Sequence, residues 1–458
     1  MTARLSRSRL RHAAQAILQE ALLAADPRRL VRRHIRVRGG VLDVAGVRHR
    51  LGRGRIALVA AGKAAVPMAR AAEEALGAWL SEGIAVSTAT EGPLERTSLR
   101  PASHPLPDAR GLAAAADVER LARGLNAADL LLVLLSGGAS ALLPAPAEGI
   151  ALEDKQATTA LLLRAGATIH DLNAVRKHLS RLKGGGLARA AAPARVVTLV
   201  LSDVVGDDLS TIASGPTVPD PTTFADALAA LGRCGLVGDV PPAVRARLEA
   251  GARGEIAETA KSGEPALRRV RSRIVGSNAL SVTAAAREAR RQGLRPLVLT
   301  TRLEGEAREA ARVLVAILGE CVATGRPIAP PACLLAGGET TVTVRGRGQG
   351  GRNEELAVAA GEALIDFPGP AVVASLATDG VDGVSDAAGG IVDDRTAARA
   401  AALGLAPAAA FLEANDTRNF LGPLGDLIVT GPTGTNVVDL VVLLAGPVSA
   451  GKAIIATM

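Results

Sequence analysis

Three arginines, Arg345, Arg347 and Arg352, surround a loop that carries glycine at positions 346, 348, 350 and 351. Guanidinium forks match the paired oxygens of phosphate and carboxylate, and bare glycine backbone lets such an anion come close. Ahead of the loop, Gly337-Gly338-Glu339 leads into residues 340–345, whose β-branched alternation predicts a strand. Behind it, Glu354, Glu355, Leu356, Val358 and Leu364 predict an amphipathic helix from about Asn353. Strand, glycine loop and helix start would aim N–H groups and a positive dipole end at an anion, with Gly350 and Gly351 as binding residues. A cation opening a helix is unfavourable by up to about 1 kcal/mol unless an anion sits beside it. Asn353 is expected to cap the helix, leaving the Arg352 fork facing outward. The competing reading is a solvated basic turn.

Two nucleotide signatures compete with this reading. Gly346, Gly348 and Gly351 spell G-x-G-x-x-G, but the acidic residue that should close the following strand is not where a dinucleotide site needs it. Asp366 comes before the next apolar run and Asp379 comes late. Residues 446–452 spell G-x-x-x-x-G-K, yet Ala453 replaces the hydroxyl residue and only six residues follow Lys452, too few for the helix such a loop opens.

Other strand ends carry similar chemistry. The apolar run at 56–60 ends in Ala61-Gly62-Lys63-Ala64-Ala65 before a helix, which places Lys63 where open parallel sheets hold ligands. The run at 130–135 ends in Ser136-Gly137-Gly138-Ala139-Ser140, whose hydroxyls and N–H groups suit a phosphate or carboxylate. Residues 173–186 bring Arg176 and Lys183 before three glycines. The run at 196–201 ends in Ser202-Asp203. Mg²⁺ prefers one or two carboxylates plus substrate phosphates, which makes Asp203, with Asp379 and Glu339, the metal candidates. Glu339 has an alternative role, fixing Arg352. His104, in a proline loop, reads equally as an acid–base group or a structural residue. Gly276-Ser277-Asn278 forms a further polar turn at a strand end.

The elements behind these loops alternate strand and helix, which predicts an α/β protein with a doubly wound, mostly parallel Rossmann-like sheet in residues 1–260. Residues 236–268 read as helix and linker. A second α/β domain with a mixed sheet is expected over 261–458, closed by a hairpin between 427–430 and 437–444. Residues 5–25 predict an amphipathic helix, followed by an arginine-rich segment.

The 458-residue chain is 48% hydrophobic and carries a net charge of +8. It contains one Trp, four Phe and no Tyr, so base stacking has almost no side chains to work with and nucleic acid is not an expected partner. An acidic small substrate or a GC-rich genome accounts for the charge more simply. Cys234, Cys321 and Cys333 show no zinc or disulfide pattern, which fits a reducing cytoplasm. The basic N-terminus lacks an uninterrupted apolar stretch, and the longest apolar runs are too short to span a bilayer.

Taken together and in order, Ala61 to Ala65, Ser136 to Ser140, the 173–186 stretch, Ser202-Asp203-Val204-Val205-Gly206-Asp207, Gly276-Ser277-Asn278, the Gly337-to-Glu354 stretch and Thr378-Asp379-Gly380-Val381-Asp382-Gly383 resemble the glycerate 2-kinases of bacteria and animals. The C-terminal module of that family is called MOFRL. The resemblance implies two α/β domains with the active site in the cleft between them, and Mg-assisted transfer of phosphate from ATP to D-glycerate. The family's A-G-K-A lysine and G-G-R-N arginine correspond to Lys63 and Arg352. Ser136, Gly137, Gly138, Ser140, Arg176, Lys183, Ser277, Asn278, Gly350 and Gly351 are expected to bind substrate or phosphate. Members of this family have also been called hydroxypyruvate reductases, so an NAD(P)H-dependent reductase is the second reading and a non-catalytic sugar-acid binder the third. A homodimer is compatible with the sequence.

Overall fold

Short apolar runs, several followed by glycine, become strands buried on both faces at the centre of two of the three sheets. The computed structural model describes residues 6–52, 54–92 and 94–447. The second nucleotide-like loop, from Val448 on, and Arg4 lie outside them.

The chain divides into two compact units, residues 27–276 and residues 1–26 with 277–458. The first unit opens with a small antiparallel sheet of β1 (Ile35–Arg38), β2 (Val41–Val44) and β3 (Val47–Arg50), in the segment expected only to be arginine-rich. Its main sheet consists of β4 (Ile56–Ala61), β5 (Leu80–Ser87), β6 (Thr97–Pro101), β7 (Leu130–Leu135), β8 (Arg195–Leu201) and β9 (Val270–Gly276). All neighbours pair in parallel, in the order β6-β5-β4-β7-β8-β9. That is the doubly wound order with its switch point between β4 and β7. β4 and β7 are fully buried, as continuous Val, Leu and Ala runs require when helices cover both faces.

The second unit has a mixed sheet. It contains β10 (Arg295–Leu303), β11 (Ala332–Gly338), β12 (Ala371–Ala377), β13 (Gly389–Asp393), β14 (Leu427–Ile428) and β15 (Asp439–Ala445), in the order β10-β11-β15-β12-β13-β14. Alternate residues of each central strand enter opposite cores. Val441 and Leu443 face helices Ala307–Thr324 and Arg352–Ala363, while Leu440, Val442 and Leu444 face helices Arg7–Ala24 and Asn278–Arg291.

Several expectations change. The division differs from a boundary at 260/261: β9 completes the parallel sheet, and the N-terminal helix Arg7–Ala24 packs on the mixed sheet through Leu10, Ala14, Ile17 and Ala21. Arg7 and Arg11 fix that helix through ion pairs to Asp394, Asp393 and Asp426. Residues 236–268 are no free linker, because helix Pro242–Ala252 packs Val244 and Leu248 into a helical core with Phe224. The expected strand at 340–345 is absent apart from one bridge at Thr341, since β11 has already ended at Gly338. No C-terminal hairpin forms. β14 pairs with β13, while β15 inserts between β11 and β12, where its apolar residues are covered on both faces. Among the described residues no helix is long and apolar enough to cross a membrane.

Ile17 is fully buried against the mixed sheet. Ile17→Ala should therefore lower unfolding free energy by about 2–5 kcal/mol, read by urea denaturation. Wild-type stability in this variant would contradict the placement of the N-terminal helix.

Candidate active site

In the parallel unit the loops after β4 and β7 are tied to each other. The Lys63 N–H donates to the Gly137 carbonyl (2.8 Å) and the Ala64 N–H to Ser136 Oγ (3.0 Å). Gly62 has φ +126°, and a Cβ there would lie 2.2 Å from Ser136 Oγ, so only glycine lets the two loops meet. The loop after β8 arrives equally close, since a Cβ on Gly137 would lie 2.2 Å from Asp203 Oδ2. Three strand ends thus converge at the switch point. His104 stands over Gly138, where burial and then the Lys63 charge hold its imidazole below the ordinary value.

A cavity of about 330 Å³ opens beside these loops, and Gly138, Ser140, Arg176, Lys183, Asp203 and His104 are among its lining residues. Lys155, which the sequence reading missed, also lines it, buried with its ammonium donating to the Pro144 and Leu179 carbonyls (2.8 and 3.0 Å). Lys183 Nζ donates to the Ser140 carbonyl (2.8 Å), and burial, then the Arg176 charge, push it down to about 7. Burial lowers Lys155 well below its ordinary value and also lowers Arg176. The Ser140 hydroxyl pairs with Ser214 Oγ (2.7 Å), which donates to Asn173 Oδ1 (3.0 Å). Buried cations outnumber the carboxylates around this cavity, and an anion entering it would restore their charge.

The other unit gathers a second set of predicted residues, with their forks and helix start turned inward. Arg352 opens helix Arg352–Ala363, and its Nε and Nη2 grip both carboxylate oxygens of Asp439 (2.6 and 3.0 Å) while Nη1 reaches Glu339 (3.0 Å). Burial, the largest single influence, opposes the charge, but the Asp439 hydrogen bond together with the charges of Asp439, Glu339 and Asp382 outweighs it and keeps Arg352 above its ordinary value. The anion at the helix start is Asp382, which accepts the Asn353 and Glu354 N–H groups (3.1 and 2.8 Å), so Asp382 caps the helix rather than Asn353. The glycines of the preceding loop have a packing reason: a Cβ on Gly346, Gly348 or Gly350 would lie within 2.4 Å of Ala414, Asp416 or Thr417. Gln349 N–H donates to Asp416, and Gly346 N–H to Asn415. Gly351 lies against Asp382.

Ser277 and Asn278 are buried, and Asn278 Nδ2 donates to the Val437 and Asp439 carbonyls (3.0 and 2.8 Å). Asp379 Oδ1 accepts the Val381 N–H (3.2 Å). Among the described residues no group of three His, Cys, Asp or Glu side chains is arranged to hold a metal. Asp382 and Asp439 went unrecognised as partners. For Asp439 the one signal is an acid at the head of a continuous apolar run.

Glu354 is fully buried, with Oε1 unpartnered, and burial raises it to about 7 from 4.5. A carboxyl raised in the folded state stabilises the fold below its unfolded pKa, and that stability is lost as pH rises through the folded pKa. Glu354→Gln should therefore gain on the wild type between pH 4.5 and 8, by on the order of 3 kcal/mol in denaturant titrations. A difference that stays constant with pH would contradict the assignment.

Comparison with known proteins places this architecture. A family model described as a domain of unknown function (DUF4147) matches residues 13–249, and the MOFRL family model matches residues 332–439. Glycerate 2-kinase of Pyrococcus horikoshii is 42% identical over 430 residues, 93% of this chain and 96% of that protein. D-glycerate 2-kinase of Thermotoga maritima is 43% identical over 390 residues, 85% and 90% of the two chains. The crystal structure of glycerate kinase from Thermotoga maritima superposes with a TM-score of 0.84 at 40% identity, covering 95% of this chain and 99% of that one. Two relatives from Agrobacterium vitis carry a hydroxypyruvate reductase name instead. Matched at both modules and along 93% of its length, the chain belongs to the glycerate 2-kinase family.

Proposed function

We propose that this protein transfers the γ-phosphoryl group of ATP to the 2-hydroxyl of D-glycerate, giving 2-phospho-D-glycerate and ADP. The observation that carries this reading is the cavity at the switch point, where Lys155, Arg176 and Lys183 surround a space that Asp203 alone lines with a carboxylate. Such a site suits anionic substrates, and glycerate and ATP are both anionic. Phosphoryl transfer asks the protein mainly to position groups and neutralise charge.

In this reading Lys63, held at the β4–β7 junction, neutralises charge on the transferring group. Arg176 and Lys183 bind anionic oxygens, and the backbone of Ser136, Gly137, Gly138 and Ser140 shapes the wall beside them. Arg352 is gripped by Asp439, so an arriving anion would exchange with the half-exposed Glu339 rather than with Asp439. Ser277 and Asn278 act by positioning, through the Val437 and Asp439 carbonyls that Asn278 holds.

The donor set fits Mg²⁺ carried mostly by phosphate oxygens, with Asp203 as the protein carboxylate lining the cavity. Asp379 and Glu339 are weaker candidates, since Glu339 is paired with Arg352. Mg²⁺ bound there would offset part of the negative charge of the substrate phosphates. The cysteines are free, and a cytoplasmic location suits them. A reductase finds less support. A dinucleotide fingerprint needs a strand running directly into its tight turn, whereas β11 ends at Gly338 and the glycines at 346–350 pack against 414–417.

ADP release should require D-glycerate and stop on EDTA addition, while hydroxypyruvate should not consume NADH. Lys63→Met should lower kcat by two to three orders of magnitude without changing thermal unfolding. Near-normal turnover in that variant would defeat the role given to Lys63.

A further inference from the structure

The small antiparallel sheet has a face that neither the fold nor the proposed reaction uses. Its register sets Arg36 opposite Asp43 and Asp43 opposite Arg48, and sets Arg38 opposite Val41 and Val41 opposite Arg50. Successive side chains on a strand alternate faces, so these six residues share one face. The other face carries Ile35, Val37, Leu42, Val44, Val47 and His49, of which Ile35, Leu42 and Val44 are buried. The sheet is therefore amphipathic, with four exposed arginines and one acid on its outer side.

Most of these arginines have no acidic counterpart. Among the described residues Arg33, Arg36, Arg38 and Arg50 make no ion pair, and Arg48 has only Asp43 at 4.0 Å. Asp43 is itself engaged, its Oδ1 accepting the Gly46 N–H (2.8 Å) in the β2–β3 turn. Elsewhere on this unit Arg100, Arg110 and Arg123 each have a nearby carboxylate. Arg36, Arg38 and Arg48 of this face line a groove of about 550 Å³, to which Arg33 and Arg273 add two more guanidiniums. Arg273 is oriented by donating to the Ala45 carbonyl at the same turn (3.1 Å).

We infer that this groove binds a linear chain of phosphates, recognised through its oxygens alone. Guanidinium forks placed in rows across three strands suit a ligand with repeated anionic groups better than a single small anion. No aromatic residue lies on the face, so the ligand gains nothing from base stacking, and a nucleic-acid backbone and inorganic polyphosphate present the same chemistry. The absence of stacking residues, which argued against nucleic acid as a partner, bears on contacts with bases and leaves phosphate contacts open.

The test measures binding of a fluorescent single-stranded oligonucleotide and of labelled inorganic polyphosphate to the full-length protein across a salt series. Four phosphate contacts predict a log–log salt slope of about −3 for the oligonucleotide, a loss of roughly 50-fold between 50 and 200 mM salt. The Arg36→Gln/Arg38→Gln/Arg48→Gln/Arg50→Gln variant should bind at least about tenfold more weakly at low salt and keep wild-type kinase kcat. A charge-matched control, Arg287→Gln/Arg290→Gln/Arg291→Gln/Arg295→Gln, should bind as wild type. The exposed double variant Arg38→Glu/Arg50→Glu gives a second reading if the quadruple variant misfolds. Binding of one ligand and not the other identifies the source of the phosphates. Failure of the wild type to bind either, or an equal loss in the control, overturns the inference.

Discussion

One buried carboxylate, Asp439, ties together the strand ends of the mixed unit. It heads β15, where its register partners are Gly338 of β11 and Ala377 of β12. Its side chain takes the Arg352 fork, and its carbonyl takes the Asn278 amide. Burial alone would make this acid costly, and it is pushed up to about 6. The bidentate guanidinium is the contact that makes its charge tolerable, and removal of either partner would leave the other unpaired in a low-dielectric setting. Helix Arg352–Ala363 is placed by that pair and by Asp382 at its first N–H groups, so two acids and one arginine fix where helix, loop and strand meet.

The parallel unit solves the same problem with absent side chains. Gly62 and Gly137 let three strand ends approach to hydrogen-bonding distance, and the serine of the second loop then joins them through Oγ. Cations collect around the space this leaves, and burial first and their neighbours' charges second lower Lys155 and Lys183.

Much of this was legible in the sequence. Continuous apolar runs ending in Gly-Lys or Ser-Gly-Gly identify parallel strands with loops at their carboxyl ends, and Lys63 and Ser140 follow β4 and β7 as that pattern expects, whereas Arg176 lies on helix Ile169–His178, which no strand end announces. Long-range pairing was not legible. Nothing local tells Arg352 that its partner is Asp439, because the ion pair spans 87 residues and depends on β15 inserting between β11 and β12. The same blindness turned a helix start held by Asp382 into an apparent anion site, and read β-branched residues 340–345 as a strand although no neighbouring strand was left to pair with them. Domain limits failed for a related reason: periodicity identifies helix Arg7–Ala24 and strand β9, but only tertiary packing decides which core each one completes.

The central claim is that glycerate leaves this protein phosphorylated at its second carbon. Phosphorus NMR of the product formed from ATP, Mg²⁺ and D-glycerate tests it directly. Transfer to the 2-hydroxyl gives a new phosphomonoester resonance split by the single proton on C2. A phosphorus coupled to the two C3 protons, or a glycerate recovered without phosphate, would contradict it.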